Sequence, residues 1–450
     1  MNYFNPEDTI CAITTGGGMS AIAIIRISGS KAIEITNSVF NKEISESKTH
    51  TLHFGDFIDD KEVVDEVLVS IFRGSKSFTG EESIEISCHG SIYIQNKIIQ
   101  ILIKNGCRLA TAGEFSMRAF KNGKLDLTQA ESVADLIESE SEAAHKTALN
   151  QLKGGVSGKL KELRSQLIDF ASLIELELDF SEEDVEFADR EKFNDLLKNI
   201  KSELEKLIQS FKLGNSIKNG IPVTILGAPN VGKSTLLNCL LNEDKAIVSD
   251  IAGTTRDAIE DTLIIEGYNF RFIDTAGIRK TTDTIENLGI EKTLEKANKS
   301  EIILFTIDAS QELESQIMEL NKVRKDNREK ILVIVNKIDV SDIDLKEDYI
   351  AISAKNGEGI SALQNKLLNF INTEKISEND SIVSNLRHYE QLQLTLHEIN
   401  SIINGMGNNI SGDLLSINIR QALFHLGSIT GEVTTDDLLG NIFGKFCIGK

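Results

Sequence analysis

Apolar residues recur along this chain with distinct spacings, and each spacing predicts a different kind of element. Leu160, Leu163, Leu167, Ala171, Ile174 and Leu178 fall at steps of three and four, which lines one face of a helix while the polar residues between them meet solvent. A long amphipathic helix is predicted there. Upstream, AIAIIRIS (Ala21 to Ser28) and SIEIS (Ser83 to Ser87) are β-branched runs bounded by glycine or polar residues and predict strands, whereas IYIQNKIIQILIKNG has helical spacing. From Ile221 to Asn372 the runs VTILG, FRFIDT, EIILFTID and KILVIVNK alternate with helical stretches, the pattern of a parallel sheet. After it, LRHYEQLQLTLHEINSII and LLSINIRQALFHLGSI are helical again.

Together these patterns predict a multidomain chain. An α+β N-terminal domain (1–122) is followed by half of an all-α helical domain (123–217), an inserted α/β domain (218–372) and the second helical half (373–450). The insertion follows because each helical half has an apolar face that needs a partner. Only three prolines occur, Pro6, Pro222 and Pro229, so little interrupts long helices before Ile221.

Composition narrows the classes. A 40% hydrophobic share over 450 residues is that of a globular protein with real cores. The 48 basic residues against 69 acidic ones give a net charge of −21, which opposes non-specific binding to nucleic acid or membrane, so an RNA partner requires a local basic patch or a second protein. Five cysteines, at 11, 88, 107, 239 and 447, form no C-x-x-C pair and no zinc-spaced set with histidine, which suggests a reduced, cytoplasmic protein. No targeting signal is visible in MNYFNPEDTI, and no apolar run reaches the roughly 18 residues of a membrane span. The last four residues, Cys447 to Lys450, resemble a prenylation box only in beginning with cysteine; they end in lysine and follow an acidic TTDDLL.

The chemistry is concentrated in 218–372. GAPNVGKST matches G-x-x-x-x-G-K-[ST] at Gly227, Gly232, Lys233 and Ser234, between the strand VTIL and the helix TLLNCLL. In that context backbone N–H groups cradle phosphates, Lys233 reaches the β/γ oxygens and Ser234 can ligate Mg2+. GTTRD supplies Thr255 as a magnesium and γ-phosphate ligand, and DTAG supplies Asp274 behind the metal and Gly277 as a γ-phosphate donor. NKID supplies Asp339, which can accept from the N1–H and 2-amino edge that guanine has and adenine lacks; SAK (Ser353 to Lys355) completes the base pocket. Four matches in this order specify a Ras-like P-loop GTPase domain. Ile278 follows Gly277 and cannot orient water, so another group must; Asp283, Glu286 and Glu291 are the nearby carboxylates, though from the residues alone a solvated helix face is the favoured reading of each.

With a GTPase set between helices, GEFSMRAFKNGKLDLTQAESVADLI (Gly113 to Ile137) and a terminal CIGK, the chain resembles the MnmE (TrmE) family of tRNA modification GTPases over essentially its whole length. The resemblance implies a homodimer whose N-terminal domains bind 5-formyltetrahydrofolate or a related tetrahydrofolate. It also implies a flavoprotein partner, MnmG (GidA), forming a heterotetramer that adds an aminomethyl-type group at C5 of the wobble uridine of certain tRNAs. The positions matching the family's folate contacts are Arg26, Glu85, Lys124 and Lys450. Arg26 and Glu85 interrupt apolar strands, and an unpaired charge there is costly, so a ligand or each other are the two candidate partners. Cys447 is a candidate participant in the chemistry or a structural residue. The family's nucleotide site corresponds to Asn230, Val231, Gly232, Lys233, Ser234 and Thr235, to Ser249, Asp250, Ile251, Ala252, Gly253, Thr254 and Thr255, to Asp274, Thr275, Ala276 and Gly277, and to Asn336, Lys337, Asp339, Ser353, Ala354 and Lys355. Within it, the resemblance implies K+ at Asn230, Ser249, Ile251 and Thr254, and Glu286 as the water-positioning carboxylate. The alternatives are a ribosome-assembly GTPase of Era or Der type, a folate-dependent one-carbon transferase with a regulatory GTPase domain, and a membrane-tethered switch.

Overall fold

A computed structural model describes residues 7–179, 190–244, 261–273, 297–341, 348–371, 381–408 and 412–449. Contacts gather the chain into two units. One comprises Met1–Ile137, Asn150–Lys201 and Gln391–Lys450; the other comprises Glu138–Leu149 and Ser202–Glu390.

The first unit opens with β1 (Ile10–Ile13), β2 (Ile22–Ser28), α1 (Ala32–Ser38), β3 (Thr51–Asp59), β4 (Glu62–Phe72), β5 (Ser83–His89), α2 (Ile92–Lys104) and β6 (Arg108–Leu109). The strands form one sheet in the order β3-β4-β5-β2-β1-β6, antiparallel except for the β1–β6 pair. Side chains alternate across a strand, so Ile25, Ile27, Ile84 and Ile86 enter a core with Ile98 and Leu102 of α2, while Arg26 and Glu85 stand on the opposite face, paired in register. The two predicted strands and the predicted helix of this region are present as expected.

Three further helices, α3 (Glu114–Lys121), α4 (Leu127–Glu138) and α5 (Glu142–Leu152), lead to α6 (Gly155–Asp179) and α7 (Arg190–Asn219). The predicted amphipathic helix is α6, with Leu160, Leu163, Leu167 and Ile174 buried.

In the second unit, β7 (Ile221–Leu226), α8 (Lys233–Asp244), β8 (Asp261–Ile265), β9 (Tyr268–Phe272), β10 (Ile302–Asp308), α9 (Leu313–Asn327), β11 (Ile331–Asn336), β12 (Ile350–Ile352) and α10 (Ile360–Ile371) build a doubly wound layer. The strand order is β12-β11-β10-β7-β9-β8, parallel except that β8 runs antiparallel to β9 at the edge. Strand β10 shows why its sequence is almost wholly apolar: Ile302 and Leu304 pack with Leu237 of α8 and Leu363 of α10, whereas Ile303, Phe305 and Ile307 pack with Leu320 and Val323 of α9. Both faces of a parallel sheet are covered, so alternation disappears.

The chain closes with α11 (Leu386–Gly407), α12 (Gly412–Thr430) and α13 (Asp436–Phe443). Within the first unit α12 packs on α6, as the two apolar faces required. Thr435 caps α13, its hydroxyl accepting from Leu438 N at 3.2 Å. No described helix is long and apolar enough to cross a membrane.

One buried ionic network anchors the first unit. Arg118, fully buried on α3, donates to Glu81 at 3.0 Å and to Glu114 at 3.1 Å, while Arg108 donates to Glu114 at 2.7 Å. Burial pushes the Glu114 carboxyl up, but the Arg108 hydrogen bond and the Thr111 amide outweigh it and hold it below the ordinary glutamate value. A carboxyl depressed on folding contributes stability that is present above its unfolded pKa and is lost as pH falls through the depressed folded value. Glu114→Gln is therefore expected to lose about 3 kcal/mol at neutral pH. It should also decline less steeply than wild type from about pH 5 downward. Urea midpoints at neutral and acid pH check both, and parallel curves would remove Glu114 from the linkage.

Candidate functional site

The first site is built at the carboxyl ends of β7, β10 and β11, where an open parallel sheet presents its loops. After β7 the chain turns through Gly227 at φ 142° and Gly232 at φ 99°. A Cβ on Gly227 would come within 2.2 Å of the Thr306 carbonyl oxygen, and one on Gly232 within 2.3 Å of Asn336 Nδ2, so both positions require glycine for space as well as for backbone angle. Asn230 occupies the left-handed region at φ 63°, which asparagine tolerates. Lys233 opens α8, and its ammonium donates to the carbonyls of Gly227 at 3.0 Å and Ala228 at 2.8 Å. The loop is thus closed around its own lysine, with the N-terminus of α8 beneath it, a geometry suited to phosphate.

The guanine-motif residues are interlocked with this loop. Asn336, at the end of β11, donates through Nδ2 to the Val231 carbonyl at 2.9 Å and accepts at Oδ1 from the Ala354 amide at 3.0 Å. Lys337 donates to the Asn230 carbonyl at 3.0 Å and to Asp308 at 2.6 Å. Ser353 donates to Asp339 Oδ1 at 2.8 Å, leaving the other oxygen of this exposed carboxylate available among the described residues. The structure therefore brings Asn230, Val231, Gly232 and Lys233 together with Asn336, Lys337, Asp339, Ser353 and Ala354.

Asp308 was not singled out by motif spacing. Its signal in the sequence is a charge ending an otherwise uncharged strand, IILFTID. Burial pushes its carboxyl up, yet Lys337 and Ser310 hold it below the ordinary aspartate value. The expected phosphate and metal positions Ser249 to Thr255 and Asp274 to Gly277, and the carboxylates Asp283, Glu286 and Glu291, lie outside the described residues.

A second site lies on the sheet face of the first unit that carries Arg26 and Glu85. Arg26 donates to Glu85 Oε1 through Nε at 3.0 Å and Nη2 at 2.8 Å. Its guanidinium carbon stands 5.3 Å from the Phe78 ring centroid and 5.6 Å from that of Phe115. The pair is about a quarter exposed, 22% and 26%, so each charge answers the other while keeping an open edge. Lys124 donates to the Ser75 carbonyl at 2.7 Å and packs beside Gly80, on the loop that bears Phe78.

The C-terminal segment reaches the same region of the unit. Ile448 bridges Ala112, the Gly113 amide donates to the Cys447 carbonyl at 3.3 Å, and a Cβ on Gly449 (φ 101°) would lie 2.4 Å from the Ile13 carbonyl oxygen. Cys447 is exposed, and Lys450 lies outside the described residues. Sequence spacing missed the two aromatic rings. Phe78 and Phe115 are separated by too much chain for any local pattern to join them.

Residues 9–124 match the family model described as the GTP-binding protein TrmE N-terminus, and residues 127–447 match the MnmE helical domain. The chain is 53% identical to the tRNA modification GTPase MnmE of Flavobacterium johnsoniae, 54% to that of Flavobacterium psychrophilum and 51% to that of Christiangramia forsetii. Each alignment covers 99% of this chain, and the relatives are covered to 99% as well. Two matched models in order, identity above one half along nearly all of both chains, and a phosphate loop interlocked with a guanine motif lead to one conclusion: the chain belongs to the MnmE family of tRNA modification GTPases.

Proposed function

We propose that the chain hydrolyses GTP to drive a tRNA modification at C5 of the wobble uridine, working as a homodimer with MnmG in a heterotetramer. The observation that carries the nucleotide half is the Asn336 interlock, which ties a phosphate loop to a base-reading carboxylate. The family of its relatives carries the tRNA half, and this GTPase role is favoured over an Era or Der type function because the matches extend beyond the GTPase domain at both ends.

In this reading the loop amides from Asn230 to Thr235 and the Lys233 ammonium hold the β- and γ-phosphates, and Asp339 accepts from the guanine edge. Gly227 and Gly232, where no Cβ fits, leave the backbone free to approach a phosphate chain, so the residues fit the ligand. Ser234 and Thr255 are the side chains for Mg2+, and Asn230 with Ser249, Ile251 and Thr254 forms the set for K+. When bound, K+ would supply the positive charge that an arginine finger gives elsewhere, beside the charge of Mg2+. Glu286 orients the attacking water and accepts its proton. Asp274 to Gly277 complete the γ-phosphate side.

On the N-terminal domain we assign the tetrahydrofolate site to Arg26, Glu85, Lys124 and Lys450. A flat, amine-edged heterocycle fits a carboxylate beside two aromatic rings, since Glu85 can accept from the amine edge. The backbone contacts of Ile448 and Gly449 with Ala112 and Ile13 support a terminus held near that face. The cofactor supplies the one-carbon unit when bound, and Cys447 stands as the nucleophilic candidate beside it.

Three outcomes are expected. Calorimetric titration should show GDP binding and no comparable ADP binding, because adenine leaves the Asp339 acceptors unpaired; equal affinities would defeat the guanine reading. Hydrolysis should run faster in K+ than in Na+, and Glu286→Ala should lower turnover by roughly 10²-fold or more with nucleotide affinity nearly intact. Unchanged single-turnover rates in that variant would assign the water to another group. Finally, Lys450→Ala should weaken 5-formyltetrahydrofolate binding by about 10- to 150-fold. Cys447→Ser should bind normally and fail to restore wobble-uridine modification in a deletion strain; full binding and modification by a chain ending at Phe446 would reduce the last four residues to a tail.

A further inference from the structure

We propose that Asp308 is a positioning residue for guanine-nucleotide binding: its buried carboxylate fixes the Lys337 ammonium against the phosphate loop. This rests on Asn336 to Asp339 being the guanine-reading segment.

All seven positions of β10 are buried, and the last of them is an aspartate whose side chain is 0% exposed. Among the described residues, its four hydrogen-bond contacts are all with donors. Oδ1 accepts from the Ser310 amide at 2.9 Å and the Ser310 hydroxyl at 2.7 Å; Oδ2 accepts from Gln311 Nε2 at 3.0 Å and from Lys337 Nζ at 2.6 Å. The backbone is held as well, because Gln316 of α9 accepts from the Asp308 amide at 2.8 Å and donates to its carbonyl at 3.1 Å. A carboxylate clamped in this way cannot turn to follow a moving partner. It imposes its own position on the Lys337 ammonium.

That cation carries the constraint onward. Lys337 Nζ is shared between Asp308 and the Asn230 carbonyl, so strand β10, the guanine motif and the phosphate loop meet at a single ammonium. Lys337 also holds a left-handed backbone at φ 67°, uncommon for a residue with a long side chain. Such a conformation persists where the surroundings over-determine it, and here the side chain is tied at two points. Aspartate is required rather than asparagine. An amide placed at Oδ2 would turn N–H groups toward the Lys337 ammonium, and one placed at Oδ1 would meet the Ser310 N–H. Releasing the ammonium loosens Asn230 and the segment leading to Asp339 together, which weakens GTP and GDP alike.

The test uses the full-length chain. Asp308→Asn should raise the Kd for GDP and the KM for GTP by roughly 10- to 100-fold, with kcat at saturating GTP changed far less, the signature of lost binding shared by ground and transition states. In a double-mutant cycle, Asp308→Asn added to Lys337→Ala should weaken GDP no further than Lys337→Ala alone, because the aspartate acts only through that lysine. A generally loosened fold would give additive losses, and additivity would overturn the proposal. So would wild-type GDP affinity in Asp308→Asn. Thermal melting checks that the variant folds. Where it does not, Ser310→Ala with Gln311→Ala loosens the carboxylate without removing its charge; about a threefold loss that vanishes in the Lys337→Ala background supports the proposal, and no loss overturns it. Failure of the underlying reading looks different: Lys337→Ala and Asp339→Ala would then both bind GDP as tightly as wild type.

Discussion

The nucleotide site depends on one buried side-chain amide. Asn336 is 2% exposed and answers two backbone groups at once, the Val231 carbonyl and the Ala354 amide. Either group left without a partner at that depth would cost about 1–3 kcal/mol. The phosphate loop, the guanine motif and the loop after β12 therefore hold one relative position. Gly232 belongs to the same constraint, since its missing Cβ is the space that the Asn336 amide needs to reach Val231.

The N-terminal site is organised by a comparable economy of buried charge. Glu81 accepts from Ser28 at 2.8 Å and from Arg118 at 3.0 Å, so strand β2, helix α3 and the loop before β5 are bound to one carboxylate. A buried ion pair is a poor source of net stability, but removing one partner strands the other, so such a network fixes geometry more than it adds energy. What it fixes is informative: the loop carries Phe78 and the helix carries Phe115, the two rings that stand beside Arg26. The terminal segment is then held by backbone contacts at Ala112, Gly113 and Ile13, which ask little of side-chain identity except glycine at Gly113 and Gly449.

The legible part of the sequence was periodic or local. The strand through Arg26, the helix through Leu160 and the phosphate loop at Gly227 were readable because alternation, helical spacing and a nine-residue loop are properties of neighbouring residues. The antiparallel edge strand β8 was not; an apolar run records burial and leaves its direction to the partner. Arg26 was readable as a charge needing an answer, with Glu85 or a ligand as candidates, while strand register, pairing residues 59 positions apart, decided that Glu85 answers it.

By itself the sequence determined the elements, the order of the motifs and the kind of ligand each motif suits, because these follow from spacing along the chain. Tertiary structure alone decided that Asp308 meets Lys337, that Phe78 and Phe115 flank Arg26, and that the C-terminal segment lies against β1 and the turn before α3. Those contacts join residues far apart in the chain. Each exists because packing the covered sheet faces brings a buried charge or backbone group against a partner that the local sequence does not name.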